Sequence, residues 1–351
     1  MSSTSVASGR IDHEDISVRL TASLPFVHPH LEVEKNPSKG RLVRVKRPIK
    51  DGEVVLIDTP YALVPAMIVD EPPFSLCSRQ QCNRRIPVGA ATVSCPEKCL
   101  EEVVWCSNQC QSQDKARHGL ECSWLKHISP EIRQSQGDAT FGLLWMIARI
   151  LINKTNENTS STANEITDDK ISTSHFHRKG WAAVWNLDGG PDHFPAALIN
   201  QWGSLVNNYL VHELLGVKHN PGDILRLICK VETNSFGLYP GITGRYPVVS
   251  HVSRGDYYGG GIYPTAAMFN HACCPNITHE VDANGRRMFK AGRDIEAGEE
   301  CCITYFDLFE YPDVTSRKEA IKNSWSFFCS CERCNEEGST EFPDFLQDLE
   351  F

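Results

Sequence analysis

Cysteines in this chain are spaced too closely and too regularly to be packing residues, and they constrain the fold more than any other feature. The first group runs Cys77-x4-Cys82-x12-Cys95-x3-Cys99-x6-Cys106-x3-Cys110-x7-His118-x3-Cys122. Each tetrahedral zinc takes four thiolate or imidazole ligands, and short pair spacings bring two of them to one side of the metal. Eight donors in four close pairs therefore imply two zinc ions. The stretch after Cys106 looks helical between Cys110 and His118, which passes ligands from one site to the other. So few apolar residues lie here that metal binding must supply much of the folding free energy. Buried free thiols would not arrive in pairs ending in H-x3-C.

A second group, Cys329, Cys331 and Cys334 in "FFCSCERC", leaves a tetrahedral zinc one ligand short. Cys273 or Cys274, in the polar run "MFNHACCPNITHE", is the available supplier. With Cys273 the sum is eleven cysteines and His118, twelve ligands for three zinc ions. Cys229, Cys274, Cys301 and Cys302 are then ordinary thiols. The chain has 15 cysteines in all, and residues 1–36 lack the apolar core of a secretory signal, so a reducing compartment is expected. No stretch approaches the ~20 apolar residues of a membrane span. A net charge of −9 argues against a nucleic-acid surface, which needs a basic footprint.

Between the metal groups the pattern is strands, helices, then strands. Residues 1–36 read as disordered or loosely attached. Alternation from Arg41 to Val64 predicts short strands around an Asp51-Gly52 turn. "ATFGLLWMIARILI", "FPAALINQWGSLVNNYLVHELLGV" and "GDILRLICKVETNSF" have helical periodicity, the last ending near Asn234. A polar, low-complexity segment at 154–176 reads as a mobile loop. "NITHEV" and "RRMFKA" flank a hairpin turn at Asp282-Ala283-Asn284-Gly285, where Asn-Gly tolerates positive φ. A helix is predicted from about Val314 to Asn323, capped by Asp313 or Thr315. Gly40 and the Gly259-Gly260-Gly261 run are read as turns or as places where a ligand approaches the backbone.

Taken together these segments resemble the MYND–SET family of protein lysine methyltransferases. The 77–122 cluster, with its Trp105-Cys106 step, is similar to a MYND finger. "SKGRLVRVKRPIKDGEVV" resembles the opening SET strands, "GIYPTAAMFNHACCPN" and "GEECCITYFD" the two SET signatures, and "FFCSCERC" the post-SET zinc motif. The resemblance covers about residues 37–334 and implies an α+β fold: small curved sheets with a pseudoknot, interrupted by the finger and a helical insertion and closed by the post-SET zinc. The implied organisation is a disordered segment 1–36, a first SET part 37–76, the MYND finger 77–122 and an insertion 123–235. A second SET part 236–312, the post-SET motif 313–334 and an acidic tail 335–351 follow.

The resemblance also implies roles. S-adenosylmethionine would be held by backbone groups of Asn270 and His271, by Lys39 and Arg41 on its carboxylate side, and by Asn234 from the insertion. Cys273 would complete the post-SET zinc. Tyr305 would orient the substrate amine and also touch the cofactor. Trp325, where the family tends to have a tyrosine, would form the second wall of the lysine channel, narrowing it or changing how many methyl groups are added. Leu42 stands in place of a family glycine and Ala272 in place of a serine. The chain ends soon after Cys334, without the C-terminal helical repeats of several relatives, so an open substrate groove is expected.

Two functions follow. One is methyl transfer to a lysine of a histone tail or another protein, by a monomer in nucleus or cytoplasm. The other is an inactive SET scaffold whose finger binds proline-containing peptides. A zinc hydrolase is disfavoured, because four-coordinate sets leave no position for water.

Overall fold

The computed structural model describes residues 25–37, 39–67, 74–161, 179–211, 219–248 and 254–340. Strands β1 (Phe26–Val27), β2 (Leu31–Asn36), β3 (Gly40–Val45), β4 (Val54–Asp58) and β5 (Ala62–Pro65) open the chain. The expectation of disorder through residue 36 is therefore corrected from Phe26 onward. Leu31 and Val33 alternate with charged residues and pair β2 along the whole of β3, Leu31 opposite Val45 and Asn36 opposite Gly40. Gly40 has φ +70°, a value a side chain would strain, and starts β3 from that turn.

The cysteine module carries β6 (Phe74–Leu76), β7 (Arg85–Pro87), β8 (Val93–Ser94) and β9 (Val104–Trp105). Helix α1 (Asn108–Gln136) follows, capped by Ser107, whose hydroxyl accepts the Cys110 N–H. It contains the helix expected between Cys110 and His118 and runs far beyond it. Helices α2 (Asp138–Ser161), α3 (Gly180–Trp185), α4 (Ala196–Tyr209) and α5 (Pro221–Asn234) complete the insertion. Helix α2 reaches into the segment read as a mobile loop, so residues 154–161 are helical; 162–178 lie outside the described residues. Among the described residues no helix is long and apolar enough to cross a membrane.

The later strands are β10 (Ser235–Leu238), β11 (Gly259–Ile262), β12 (Asn270–His271), β13 (Ile277–Val281), β14 (Arg287–Ala291) and β15 (Cys302–Ile303). Helices α6 (Val314–Trp325) and α7 (Glu332–Thr340) close the chain. One sheet has the order β1-β4-β14-β13 and another β10-β11-β5. The three glycines at 259–261 are not a turn. They form the middle strand, where a Cβ on Gly259 would sit 2.6 Å from the Val64 carbonyl. The hairpin between β13 and β14 turns at Gly285, φ +72°, as Asn-Gly predicts. Strands β12 and β15 pair in parallel, Asn270 with Cys302 and His271 with Ile303.

There are two main cores. Val43, Leu56, Tyr263, Phe269, Phe289 and Ile303 fill the strand core. The other core runs without a break from Cys77, Cys95 and Trp105 into Trp124, Phe141, Trp145 and Leu227. The cysteine module and the helical insertion thus share a single apolar interior. Helix α7 covers the start of the tail read as acidic and solvated. There Glu337 pairs with both Arg317 and Arg333.

Candidate active site and zinc centres

The donors fall into three sets: Cys77, Cys82, Cys106 and Cys110; Cys95, Cys99, His118 and Cys122; and Cys273, Cys329, Cys331 and Cys334. Within each set the donor atoms lie within 4.8 Å of one another. A tetrahedral ion with Zn–S near 2.3 Å needs sulfur–sulfur separations of about 3.8 Å. The chain holds Cys82–Cys106 at 3.7 Å, Cys95–Cys122 at 3.7 Å and Cys273–Cys329 at 3.9 Å, so the donors fit zinc. The two sets of the finger interleave. The first and third donor pairs would hold one ion and the second and fourth the other, with α1 carrying Cys110 to one set and His118 and Cys122 to the other.

Beneath the His118 set lies a polar cluster that the sequence did not reveal. His118 Nε2 faces Cys95 and Cys99 at 3.3 and 3.7 Å, while Nδ1 is 3.3 Å from Glu121. A ligand imidazole held by a carboxylate has its tautomer and direction fixed. Glu121 is fully buried and also accepts from Arg117 (2.9 Å), Trp145 Nε1 (3.0 Å) and Arg149 Nε (3.2 Å). Burial alone would raise its carboxyl, but the Arg117 and Arg149 guanidiniums hold it well below the carboxylate range. Arg117 forms a fork with Asp114, which accepts the Trp105 indole N–H at 2.9 Å.

The third set adjoins a cavity of about 420 Å³ lined by Lys39, Asn270, His271, Glu300, Phe327 and Phe328, among others. Asp58, at the end of β4, builds its floor indirectly. Its carboxylate accepts the Thr265 and Ala266 N–H groups at 2.9 and 2.8 Å, fixing the turn that leads into Asn270 and His271. Asn270 then donates to the Arg41 carbonyl (3.0 Å) and to Glu300 (2.9 Å), while Lys39 pairs with the other Glu300 oxygen at 2.7 Å. The hydrogen bond to Glu300 holds the Lys39 ammonium above its ordinary value. Asn276 ties the crossing segments together, donating to the Glu300 carbonyl and accepting the Cys302 N–H, at 2.9 and 2.8 Å.

Arg41 and Asn234 are brought together by the insertion. Both reach Asp188 of the insertion, Arg41 through the carboxylate (3.1 Å) and Asn234 through the carbonyl (2.7 Å). Leu42 is buried but is not among the residues lining this cavity. Glu300, Asp188, Phe327 and Phe328 escaped the sequence reading. The signal for the last two was available, since "SFFCSC" places two phenylalanines beside zinc ligands and Phe328 is 71% exposed.

Tyr305 lines this cavity and also a second one of about 80 Å³, whose walls include Asn234, Phe236, Ala267, Phe269 and Trp325. Its hydroxyl donates to the Phe269 carbonyl at 3.0 Å, and burial pushes the phenol well above its ordinary range. Trp325 stands beside it, ring centroids 5.2 Å apart and tilted by 48°. The indole N–H is spent on the Thr233 carbonyl at 3.2 Å, so the face turned to Tyr305 is purely aromatic.

The SET domain family model matches residues 40–306. A potential protein lysine methyltransferase of Saccharomyces cerevisiae, SET6, is 40% identical over 82 residues, 23% of this chain and 21% of that protein. The histone-lysine N-methyltransferase SMYD3 of Mus musculus is 23% identical over 87% of this chain and 61% of its own length. A SET and MYND domain-containing protein of Dictyostelium discoideum is 23% identical over 90% of this chain and 62% of its length. The chain thus spans less than two thirds of the curated relatives it matches. With a family match that runs through the interleaved finger and the paired strands β12 and β15, the chain belongs to the SET domain family, and it is similar over most of its length to a protein that joins SET to a MYND domain.

Proposed function

We propose that the protein transfers a methyl group from S-adenosylmethionine to a lysine side chain of a protein substrate. The observation that carries this reading is Tyr305, which lines both cavities. The cofactor would enter beside Asn270, His271, Lys39 and Phe328, and the lysine stem beside Phe236 and Trp325. When bound, the cofactor supplies an electrophilic methyl on a sulfonium. The names of the relatives, two of them lysine methyltransferases in words, support the same chemistry.

The displacement needs a neutral amine whose lone pair is aligned with the methyl. Tyr305 keeps its proton because burial raises it, so it is no general base. Its hydroxyl hydrogen is committed to Phe269, which leaves oxygen lone pairs free to accept an amine N–H and turn the nitrogen. Trp325 and Phe236 offer ring faces to the lysine ammonium, which must release a proton to solvent before its lone pair can attack. The three zinc sets hold the architecture, and each is closed by four protein donors. A histone tail or another nuclear or cytoplasmic protein would serve as substrate, with the enzyme acting as a monomer.

The test is transfer of labelled methyl groups to core histones and to a cell extract, with zinc content measured on the same sample. Labelling by the wild type and a fall of about 100-fold or more in Tyr305→Phe supports the reading. No labelling and no cofactor binding at full zinc content would overturn it.

A further inference from the structure

The imidazole of His271 stands between the third zinc set and the backbone of Tyr305. Nδ1 accepts the Tyr305 N–H at 3.1 Å, and Nε2 lies 3.3 Å from Cys273 Sγ. A ring nitrogen that accepts an N–H bears no proton, so in the neutral ring the proton sits on Nε2 and points at the sulfur. Cys273 is buried and stands 3.5 Å from Cys334 Sγ and 3.9 Å from Cys329 Sγ. Bound to zinc it is a thiolate, which accepts that N–H; as a thiol among thiols it would be a poor acceptor. The ring has little freedom to respond otherwise, with Tyr305 at 5.2 Å and Phe306 at 5.0 Å between centroids. The backbone on both sides is tied, since His271 pairs with Ile303 and the Ala272 N–H donates to the Ile303 carbonyl at 2.9 Å.

We propose that His271 is a positioning residue which transmits metal occupancy of the Cys273–Cys329–Cys331–Cys334 set to Tyr305 through its two ring nitrogens. Zinc fixes the Nε2–H tautomer, and that tautomer leaves Nδ1 free to hold the Tyr305 backbone where the hydroxyl reaches Phe269. Loss of this ion would release Tyr305 although no donor of the set touches the phenol. Only the consequence for turnover rests on the methyl-transfer reading.

The test uses the full zinc-loaded chain and two variants that split the ring's functions. His271→Asn keeps an acceptor near Nδ1 and loses the reach to sulfur. His271→Gln keeps a donor near Nε2 and loses the acceptor. Release of each zinc into a chelator is timed, the third set being the phase missing from Cys331→Ser. In His271→Asn that phase should quicken 10- to 100-fold, the usual effect of removing a partner of a metal ligand. In His271→Gln it should stay within about threefold of wild type, while kcat falls more than KM for the cofactor changes. In the ¹⁵N spectrum of the wild type, His271 should show a protonated Nε2 and a bare Nδ1, and chelation should erase that signature. A proton on Nδ1, or wild-type release rates in both variants, overturns the proposal. If the wild type transfers no methyl at all, the methyl-transfer reading fails, and the spectrum and release rates still decide the role of His271.

Discussion

Replacing Glu121 by glutamine tests whether the polar cluster under the His118 set holds the finger to the insertion. The change is nearly isosteric, yet it removes the charge that two buried guanidiniums share. Arg117 stands 2.9 Å away and Arg149 3.2 Å away, and Trp145 and His118 lose half of their acceptor. Breaking a buried, hydrogen-bonded pair by removing one partner costs about 3–5 kcal/mol, because the remaining charge is left uncompensated. Arg149 would be exposed to most of it: burial already disfavours its charge, and its remaining partners are the Leu63 carbonyl and the Trp145 ring. Measured against a stability of about 5–15 kcal/mol, a loss of this size is severe. Urea unfolding of Glu121→Gln in saturating zinc should show that deficit, and chelation of the His118-bound ion should speed up by about 10- to 100-fold. A deficit under about 1 kcal/mol together with normal zinc retention would refute the reasoning.

Asp58 should leave a signature in the pH dependence of stability. Burial raises its carboxyl to about 7, against the pull of the backbone N–H groups of Ala266 and Thr265. A folded value above the unfolded one means stability is full below about pH 4 and is lost as pH rises towards 7, by at most about 1.4 kcal/mol per unit. Unfolding of Asp58→Asn beside wild type should show the variant gaining relative stability across that window and levelling off above it. Parallel curves would discard the argument. Gly259→Ala puts a Cβ against the Val64 carbonyl and Leu76 and should destabilise by about 1–3 kcal/mol without change in zinc content; a silent substitution would mean β11 is not pinned on both sides. Native mass spectrometry should count three zinc ions in the wild type, with Cys106→Ser and Cys331→Ser each losing one. A variant that loses two ions at once would show that the sets depend on each other.

Local pattern carried the metal ligands, because neighbouring ligands within a pair or motif lie two to five residues apart and declare themselves by residue type. Which pair joins which ion is a matter of topology, and only the folded finger shows the interleaving. Strand β2 was within reach, since "LEVEKN" alternates, but the Ser-rich stretch before it pointed to disorder. Glu300 was beyond reach: its partner Lys39 lies 261 residues away, and nothing local marks a carboxylate that faces a cavity. The same holds for Asp188, whose contacts with Arg41 and Asn234 join three distant segments. Tyr305 and Asn270 were named by family resemblance, and it is the structure that gives their geometry.

The parallel pairing of β12 with β15 has a consequence for how the protein is made. Lys39, Arg41 and β2–β3 leave the ribosome long before Asn270, and Asn270 before Glu300 and Cys302, so the contacts that line the larger cavity cannot be complete until those last segments have been synthesised. The finger and α1, whose ligands all lie between residues 77 and 122, can take up zinc while that wait lasts. Metal is thus captured early and the cavity closes late, when Cys329, Cys331 and Cys334 reach Cys273. A transcript truncated shortly before Cys329 would yield a chain with a loaded finger and a cavity missing its Phe327–Phe328 rim, and a cell short of zinc would stall at two separate points of assembly.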